Sequence, residues 1–494
     1  MKYVGKSKQL TLFWEANFVK FKALHLFCGI GGGALGFQQA REEWKGTVGR
    51  VETLVGIDSD PEACSDFQAI TGAPAAQMDL FSREQYRDFH GEDPPAGWEE
   101  VTPFDIWRAT GGETPDIIFT SPPCKGFSSL LPQKSASSRK YQALNQLTVR
   151  GIRLCLEAFD DDPPALILLE NVPRITKRGE GLLQQITALL RSHGYAVSEG
   201  YHDCGEIGGL AQTRKRFLLI ARNEKKVPAF VYHPPQREMK TVGEVLGPLP
   251  LPGEDAGGEM HKLPRLQWKT WVRLALIRAG GDWRDLEEIP FEQYRVGFKG
   301  STHTAIYRVS RWDEPSRTIT GAHRPNNGAL CVADPRVKCR PRSGTYGVLR
   351  WDEPAKTVTG SADVHNCTAA IADPRIPNDT EAGTWVIVAE DGTWHRPLTT
   401  YELAVLQGFP EKMTDGLPFQ LAGNSEARWR ERIGNAVPPQ AAQAIAETML
   451  RTLMPASEGV WVMGGTEVWV NPDDQPAKPG SVSVNLSERK GGTQ

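Results

Sequence analysis

Short apolar runs alternate with longer amphipathic stretches between about residues 20 and 222. The short runs are nearly continuous in apolar residues, which is typical of buried strands; they read KALHLF, VETLVGID, PDIIFTS, ALILLEN and KRFLLIAR. The stretches between them have the amphipathic pattern of helices; they read ALGFQQAREEW, DPEACSDFQAI, LNQLTVRGIRLCLEAF and GEGLLQQITALLRSHG. Strands that alternate with helices predict an α/β fold with a parallel, doubly wound sheet.

The pattern changes after about residue 228. Pro and Gly become frequent, as in HPPQ and LGPLPLPGEDAGG, which predicts an insert that is mostly β or irregular. Helical patterns return with PLTTYELAVLQGFP and with NAVPPQAAQAIAETMLRTLM, whose helix opens after two prolines. Beyond about residue 456 the chain is polar and contains Gly, Pro and Ser, so we expect a loosely ordered tail.

An internal repeat lies within the insert. Residues 307–337 align without gaps to residues 346–376 at an offset of 39, and 15 of the 31 aligned pairs are identical. Two copies are too few for a solenoid, which needs at least three. We therefore expect a duplicated β-rich unit, with half-buried strands at 318–320 and 357–359.

The composition is that of a globular protein with a substantial core. The 494 residues are 24% charged and 39% hydrophobic, which suits one large domain plus a smaller one, or two or three domains. No apolar stretch approaches the roughly 18–20 residues of a membrane span, and the N-terminal stretch does not have the pattern of a signal peptide. The eight cysteines form no CxxC and no Cys/His cluster, so we expect reduced thiols, a cytoplasmic location and no metal site.

The formal net charge is −3, but one segment is strongly basic. Residues 291–350 contain eleven Lys and Arg against four Asp and Glu. Such a run is usually a solvated surface. Its confinement to one segment of the insert makes contact with phosphates a fair alternative.

A glycine-rich turn follows the first predicted strand, in LFCGIGGGALGF. Glycines allow a tight turn, and the N–H groups at the following helix N-terminus suit a polar ligand, so we favour a cofactor site over a plain strand–turn–helix connection. Asp58 ends the second strand, where such folds hydrogen-bond ribose hydroxyls; Asp58 or Asp60 could equally cap the helix at Pro61. Asp79 follows a third short strand and could accept from an adenine amino group.

Three more polar groups follow apolar strands. Cys124 lies in SPPCKGFSSL, between prolines and a glycine, where it could be either packing material or a nucleophile. Glu170 follows four apolar residues, at the strand edge where doubly wound folds hold ligands. In AQTRKRFLLIA, Arg214 and Arg216 are two residues apart and therefore share one face at the start of the incoming strand.

These motifs together resemble the DNA (cytosine-5) methyltransferases. The resemblance is carried, in family order, by FCGIG at 27–31, PC at 123–124, ENV at 170–172, QTRKR at 212–216, LQGFP at 406–410 and GNAVPP at 434–439. It implies a Rossmann-like, S-adenosylmethionine-dependent methyltransferase fold with an inserted target recognition domain. The expected organisation is an N-terminal extension (1–21), a catalytic domain in two parts (22–227 and 393–455), the target recognition domain (228–392) and a polar tail (456–494).

The resemblance also implies catalytic roles. The thiolate of Cys124 would add to C6 of cytosine, because C5 is a poor nucleophile until something adds to C6. Glu170 would protonate or hydrogen-bond N3. Arg214 would hold O2 of the base, and Arg216 would support the cysteine and the glutamate.

S-adenosyl-L-methionine is the implied cofactor, with no metal. The residues that the resemblance assigns to its binding are Phe27, Gly29, Gly31, Asp58, Ser59, Asp79, Pro123, Asn435 and Val437. The helix after GNAVPP is expected to fold back onto the first βα unit. Two departures stand out: His25 occupies the usual place of an aspartate before Leu-Phe, and the catalytic turn reads SPPCKGFS rather than GFPCQPFS.

Double-stranded DNA is the implied partner, with the target cytosine flipped out of the duplex and with Lys134, Arg139 and Lys140 on phosphates. We expect a monomer with no membrane association, either solitary or functionally paired with a restriction endonuclease. The repeat could read two DNA segments or could serve as scaffold. Alternative functions are methylation of RNA cytosine, modification of a free pyrimidine nucleotide, and DNA binding by a catalytically silent relative.

Overall fold

The computed structural model describes residues 17–123, 138–287, 309–310, 331–332, 343–360, 363–365, 367–377 and 386–460. Several sequence predictions fall outside these residues. They are the nucleophile Cys124, the loop residue Lys134, the strand at 318–320, most of the basic segment and most of the tail. The first half of the repeat is described only at two short strands.

A central sheet of eight strands organises residues 17–223. In spatial order the strands run β2-β3-β1-β5-β6-β8-β7, and β4 pairs with β3. They are β1 (Asn17–Leu26), β2 (Arg41–Trp44), β3 (Thr47–Asp58), β4 (Ala75–Gln77), β5 (Ile117–Thr120), β6 (Leu166–Asn171), β7 (Tyr195–Asp203) and β8 (Lys215–Asn223). The sheet begins at residue 17, five positions before the boundary expected from the sequence.

The sheet is mixed, so the prediction of a purely parallel sheet is wrong. Strands β1, β3, β4, β5 and β6 are parallel, whereas β8 runs antiparallel to both β6 and β7, and β2 runs antiparallel to β3. The chain crosses from β6 to β7 through helices and leaves one position open between them. It then returns through a short connection, and β8 fills that position in the opposite direction.

Thirteen helices are described. They are α1 (Gly32–Gln39), α2 (Pro61–Thr71), α3 (Arg83–His90), α4 (Pro103–Ala109), α5 (Arg139–Ala158), α6 (Ile175–Arg178), α7 (Glu180–Ser192), α8 (Cys204–Gly208), α9 (Val242–Leu246), α10 (Trp268–Leu276), α11 (Thr400–Leu406), α12 (Glu426–Asn435) and α13 (Pro439–Ser457). One apolar core joins the sheet to α5 and α7, and a second joins the opposite face to α1 and α13. Helices cover both faces, which confirms the doubly wound α/β class.

The predicted helix over ALGFQQAREEW is correct only in its first half. Helix α1 ends at Gln39, and Arg41–Trp44 form β2. Lys45 and Gly46 both have positive φ, 49° and 77°, and make a two-residue hairpin in which Trp44 lies opposite Thr47. The right-handed twist of paired strands favours such a turn, so the chain continues as a strand.

The C-terminal helix α13 packs directly on α1, as the resemblance implies. A Cβ at Gly36 would lie 2.1 Å from the carbonyl oxygen of Pro439. Only glycine permits this separation between the two helices. The chain end therefore completes the first βα unit and brings residues 434–437 to the glycine turn.

The duplication in the insert extends to the backbone pairing. Strand β9 (Val309–Ser310) pairs in parallel with β10 (Cys331–Val332), and β11 (Val348–Leu349) pairs in parallel with β12 (Ala370–Asp373). Val309 lies opposite Cys331 and Val348 lies opposite Ala370, at equivalent positions of the two copies. β13 (Trp394–Pro397) then pairs antiparallel with β12.

The predicted strand at 357–359 is wrong. The backbone of Val358 pairs with side chains instead of a strand: its N–H donates to Oε1 of Gln212, and its carbonyl accepts from Arg214. Because Gln212 and Arg214 directly precede β8, this part of the repeat is held against the end of the central sheet. In the part of the chain that the structure describes, no helix is long and apolar enough to span a membrane.

Candidate active site

A cavity of about 860 Å³ opens at the carboxyl ends of the strands, beside the point between β1 and β5 where the strand order reverses. Doubly wound folds bind ligands at this position. It is lined by every predicted site residue except Gly31 and Cys124, the latter lying outside the described residues: Phe27, Gly29, Asp58, Ser59, Asp79, Pro123, Glu170, Arg214, Arg216, Asn435 and Val437.

The glycine turn adopts left-handed backbone at Phe27, Gly29 and Gly31, with φ of 52°, 52° and 86°. Gly31 lies behind the cavity wall, where a Cβ would be 2.7 Å from the Thr71 side chain. It therefore shapes the turn by letting α2 approach. Gly29 lines the cavity, and its N–H donates to Oδ2 of Asp58 over 2.9 Å.

The sequence offered two roles for the acids at the end of β3: contact with a ligand and capping of α2. The structure separates Asp58 from Asp60 in this respect. Asp60 is the helix cap, accepting from the N–H of Glu62 over 3.0 Å. Asp58 lines the cavity and accepts from the N–H groups of Gly29 and Asp60, one on each carboxylate oxygen. Burial raises the pKa of Asp58. Its position is thus fixed by the turn that it faces.

Asp79 is braced by a residue that sequence reasoning missed. Its Oδ1 accepts from the N–H of Phe81 at 3.0 Å, and its Oδ2 accepts from Nε1 of Trp98 at 3.2 Å. Trp98 belongs to the segment 83–109, for which no elements were predicted. That segment also supplies Tyr86, Phe89 and His90 to the cavity wall.

Lys140, expected on DNA phosphates, lies at the start of α5 with its ammonium 4.7 Å from the centre of the Phe89 ring. This is a cation–π distance. Lys140 also lines the cavity. Arg139 begins the same helix and is exposed.

Glu170 and Arg216 form an ion pair in the cavity wall. Nε of Arg216 lies 2.8 Å from Oε1 of Glu170, and both side chains are about nine-tenths buried. Glu170 is near the end of β6, and Arg216 is on β8 beside it. Opposite Arg216 in the sheet stands His202, whose pKa is lowered to about 4 by burial and by the neighbouring guanidinium. The group therefore combines an ion pair with a neutral imidazole.

Arg214 occupies a different environment from Arg216. It is 1% exposed, and its Nη1 donates to the Val358 carbonyl over 2.9 Å. Its Nη2 donates to the carbonyls of Gly434 and Ala436, over 2.8 and 3.0 Å. These bonds join three segments that are far apart in the sequence. The guanidinium is directed to backbone carbonyls, whereas the resemblance had assigned it to the base.

Gln212 and Gln407 extend this junction. Nε2 of Gln212 donates to the Leu406 carbonyl and to Oε1 of Gln407, each over 3.0 Å, and Nε2 of Gln407 donates to the Ala436 carbonyl. The motifs QTRKR, LQGFP and GNAVPP thus meet through their side-chain amides and Arg214. The sequence predicted that these motifs belong together but gave no sign of which atoms join them.

Helix α12 is held to α2 by ion pairs next to the cofactor residues. Arg432 Nη1 lies 2.5 Å from Oδ2 of the buried Asp66, and Arg428 lies 3.2 Å from Asp60. Asn435 and Val437 follow directly and line the cavity. The contacts therefore bring the C-terminal part of the catalytic domain to the glycine turn.

His25, which stands where the family usually has aspartate, is buried among aromatic rings. Its imidazole packs against Phe37, Phe67 and Phe119 at centroid distances of 5.3, 6.5 and 5.9 Å. Burial lowers its pKa to about 3. The ring is therefore neutral at physiological pH. Among the described residues, no group of three His, Cys, Asp or Glu side chains could hold a metal ion.

Comparison with known proteins places this chain in a family. The sequence model of the C-5 cytosine-specific DNA methylases matches residues 21–451. The type II methyltransferase M1.HphI of Haemophilus parahaemolyticus is 24% identical over 87% of this chain and 86% of its own length. The type II methyltransferase M.BbvI of Brevibacillus brevis is 25% identical over 88% and 92%. DNA (cytosine-5)-methyltransferase 1 of Mus musculus is 28% identical over 43% of this chain and 12% of its own length.

Solved structures give lower identities. The Entamoeba histolytica methyltransferase EhMeth is 12% identical, with a TM-score of 0.48 over 88% of this chain and 98% of that chain. The S. pombe Dnmt2 methyltransferase is 14% identical, with a TM-score of 0.45 over 88% and 99%. Because the family match covers most of the sequence, the chain belongs to the C-5 cytosine-specific DNA methylase family of DNA (cytosine-5) methyltransferases.

Proposed function

We propose that the protein transfers a methyl group from S-adenosyl-L-methionine to C5 of a cytosine in a specific DNA sequence. One observation carries the proposal. A single cavity runs from the glycine turn, Asp58 and Asp79 to the Glu170–Arg216 ion pair. A cofactor and a base held in this cavity would therefore be adjacent.

The residues present fit S-adenosylmethionine. Asp58 offers a carboxylate to ribose hydroxyls, Asp79 offers one to the adenine amino group, and Asn435 stands beside the glycine turn. The volume of about 860 Å³ lies within the range of small-molecule sites. When bound, S-adenosylmethionine supplies the methyl group.

Cys124 is the proposed nucleophile. Its thiolate adds to C6, forming an S–C6 bond and moving the C5–C6 electron pair to C5. C5 would use this pair to form its bond to the methyl group, whose bond to the sulfonium sulfur of S-adenosylmethionine would break with its electrons going to sulfur, leaving S-adenosylhomocysteine. A base then removes the C5 proton, the pair left behind restores the C5–C6 double bond, and the thiolate leaves. The neighbouring residue Pro123 lines the cavity, and Ser121 donates to the Phe27 carbonyl, which supports a nucleophile at this rim.

Glu170 would stabilise the activated base through N3. A carboxyl group that donates a proton or hydrogen bond to N3 prevents charge from building up on the ring when the thiolate adds. We assign the O2 contact to Arg216, since Arg216 pairs with Glu170 while Arg214 donates to three backbone carbonyls. Arg214 is then the residue that holds the catalytic segments together.

In this proposal the insert binds the DNA. Residues 228–392 would form the target recognition domain, and the basic segment 291–350 would contact phosphates. The target cytosine must leave the stack to reach the cavity. The type II names of two relatives support a functional pairing with a restriction endonuclease. We propose that the protein acts as a monomer.

The test is methyl transfer from tritiated S-adenosylmethionine to mixed-sequence duplex DNA, with nucleoside analysis and bisulfite sequencing of the product. We expect 5-methyldeoxycytidine in one sequence context and none with Cys124→Ser. A parallel reaction on tRNA distinguishes methylation of DNA cytosine from methylation of RNA cytosine. Methylation of tRNA alone, or full activity in Cys124→Ser, would refute the proposal.

A further inference from the structure

The segment between Asp79 and β5 contributes Tyr86, Phe89, His90 and Trp98 to the cavity wall. Arg150 on α5 anchors it, donating to the carbonyls of Leu80 and Val101 over 2.9 and 2.8 Å and pairing with Glu100 at 2.9 Å. Glu100 also accepts from the backbone N–H of Arg83, the first residue of α3. The two ends of the segment are therefore fixed relative to the sheet.

This segment places the Trp98 side chain in contact with Asp79. The Trp98 indole is an obligate donor, and its only N–H is bonded to Oδ2 of Asp79 at 3.2 Å. The second carboxylate oxygen accepts from the backbone N–H of Phe81 at 3.0 Å. With one donor on each oxygen, the plane of the carboxylate is fixed, while each oxygen keeps a further lone pair for a ligand.

Aromatic side chains continue the wall from Trp98. Tyr86 lies 5.4 Å from the Trp98 ring and stacks on His90 at 4.1 Å, and Phe89 packs against His90 at 4.8 Å. The guanidinium of Arg83 lies over the outer side of this group, 5.5 Å from the Trp98 ring. Flat apolar walls beside a fixed carboxylate suit a planar heterocycle that carries a hydrogen-bond donor.

We propose that Trp98 is a positioning residue that orients Asp79 to select adenine by its exocyclic amino group. The inference rests on the proposed function, because it takes the cofactor to be an adenine nucleoside. Asp79 in this orientation accepts a hydrogen bond from the C6 amino group. Hypoxanthine presents a carbonyl at the same position, and that oxygen would face the carboxylate without a proton between them.

The experiment compares the affinity of the purified full-length protein for S-adenosylhomocysteine and S-inosylhomocysteine by calorimetry. We expect the wild type to prefer the adenine nucleoside by about tenfold to a hundredfold, the range for a hydrogen bond to a charged group. In Trp98→Phe, which keeps a ring but loses the donor, the preference should fall several-fold. Trp107→Phe is the matched control, since Trp107 is exposed on α4 and packs on Phe104, and it should keep the wild-type ratio.

Asp79→Asn gives a second, independent readout. Its amide can donate to the hypoxanthine carbonyl, so the preference for adenine should disappear, and adding Trp98→Phe should change the ratio no further. An unchanged ratio in Trp98→Phe, with both nucleosides bound, would overturn this inference and leave the proposed function standing. Failure of the wild type to bind either nucleoside would overturn both.

Discussion

Nε of Arg216 lies 2.8 Å from Oε1 of Glu170, in the wall of the cavity that opens at the carboxyl ends of the central strands. Two residues earlier on the same chain, Arg214 turns its guanidinium to three backbone carbonyls. Two arginines in one short motif therefore have separable functions. In the proposed mechanism Arg216 contacts the base, whereas Arg214 joins three segments of the chain through their carbonyls.

Substitution of Glu170 tests the proposed role of the Glu170–Arg216 pair at the base. Glu170→Gln keeps the size of the side chain but cannot transfer a proton to N3, so we expect kcat to fall about 10²–10⁴-fold. The affinity for S-adenosylhomocysteine should stay unchanged, because Glu170 lies beyond the cofactor residues. Initial rates of methyl transfer and calorimetric binding measure the two quantities. A rate near that of the wild type would remove Glu170 from the mechanism.

The two arginines provide a matched pair. Arg214→Ala removes this donor from the buried carbonyls of Val358 and Gly434, while the Ala436 carbonyl keeps its bond from Gln407, so we expect it to lower the stability by about 3 kcal/mol or more. Arg216→Lys keeps a cation beside the buried Glu170 but loses the planar guanidinium, so it should retain most of the stability and lose most of the activity. Thermal unfolding and methyl transfer, measured on both variants, check this contrast. Equal losses of stability in the two variants would contradict the assignment.

Asp58 and Asp60 offer a second pair. Asn has one acceptor oxygen, so Asp58→Asn cannot accept from both Gly29 and Asp60, and we expect S-adenosylhomocysteine to bind about tenfold or more weakly. Asp60→Asn should bind nearly normally, because Asn caps a helix about as well as Asp and because the exposed Arg428 keeps Glu62 as an acidic partner. Calorimetry distinguishes these outcomes. Equal affinity in both variants would place the ribose contact elsewhere.

His25 predicts how stability depends on pH. The unfolded chain protonates this imidazole near its ordinary pKa of about 6.5, whereas the folded protein does so only at about pH 3. The unfolded state therefore binds the proton first, and the contribution of His25 to stability is lost as the pH falls through this window. Between pH 6.5 and 5.0 the loss is about 1.6 kcal/mol.

The midpoint of urea unfolding, measured across that range, checks the effect. His25→Asn should show a shallower fall than the wild type, although His202, with a pKa lowered to about 4, keeps part of the slope. Identical pH dependence in the two proteins would show that His25 is not buried in its neutral form.

Most residues predicted for the site line one cavity, and the sequence could predict this because several of them follow strands. In a parallel sheet the carboxyl ends of the strands meet at one edge, so Asp58, Glu170 and the glycine turn could be expected to lie together. The buried strands were also predictable, since strands covered on both faces are continuous apolar runs. A local sequence pattern was enough to predict a strand wherever all residues of that strand are buried.

The features that the sequence did not predict include contacts between residues that are far apart along the chain. The carbonyls that Arg214 holds, at positions 358, 434 and 436, come from segments that no local pattern connects. Strand β7 lies at the sheet edge, so it lacks the apolar run of an interior strand. Helix α3 buries no side chain completely, but its capping box of Ser82 and Gln85 was a usable signal that we missed.

The central claim is covalent attack by Cys124 on a cytosine, and trapping tests it most directly. Duplex DNA of random sequence that contains 5-fluorocytosine is incubated with the protein and S-adenosylmethionine, and adducts are analysed by denaturing electrophoresis and peptide mass spectrometry. Fluorine at C5 blocks the final proton removal, so the S–C6 bond should persist. We expect an adduct on the peptide that contains Cys124, dependent on S-adenosylmethionine and absent in Cys124→Ser. A protein that methylates ordinary DNA yet forms no adduct, or forms one at another residue, would contradict the account.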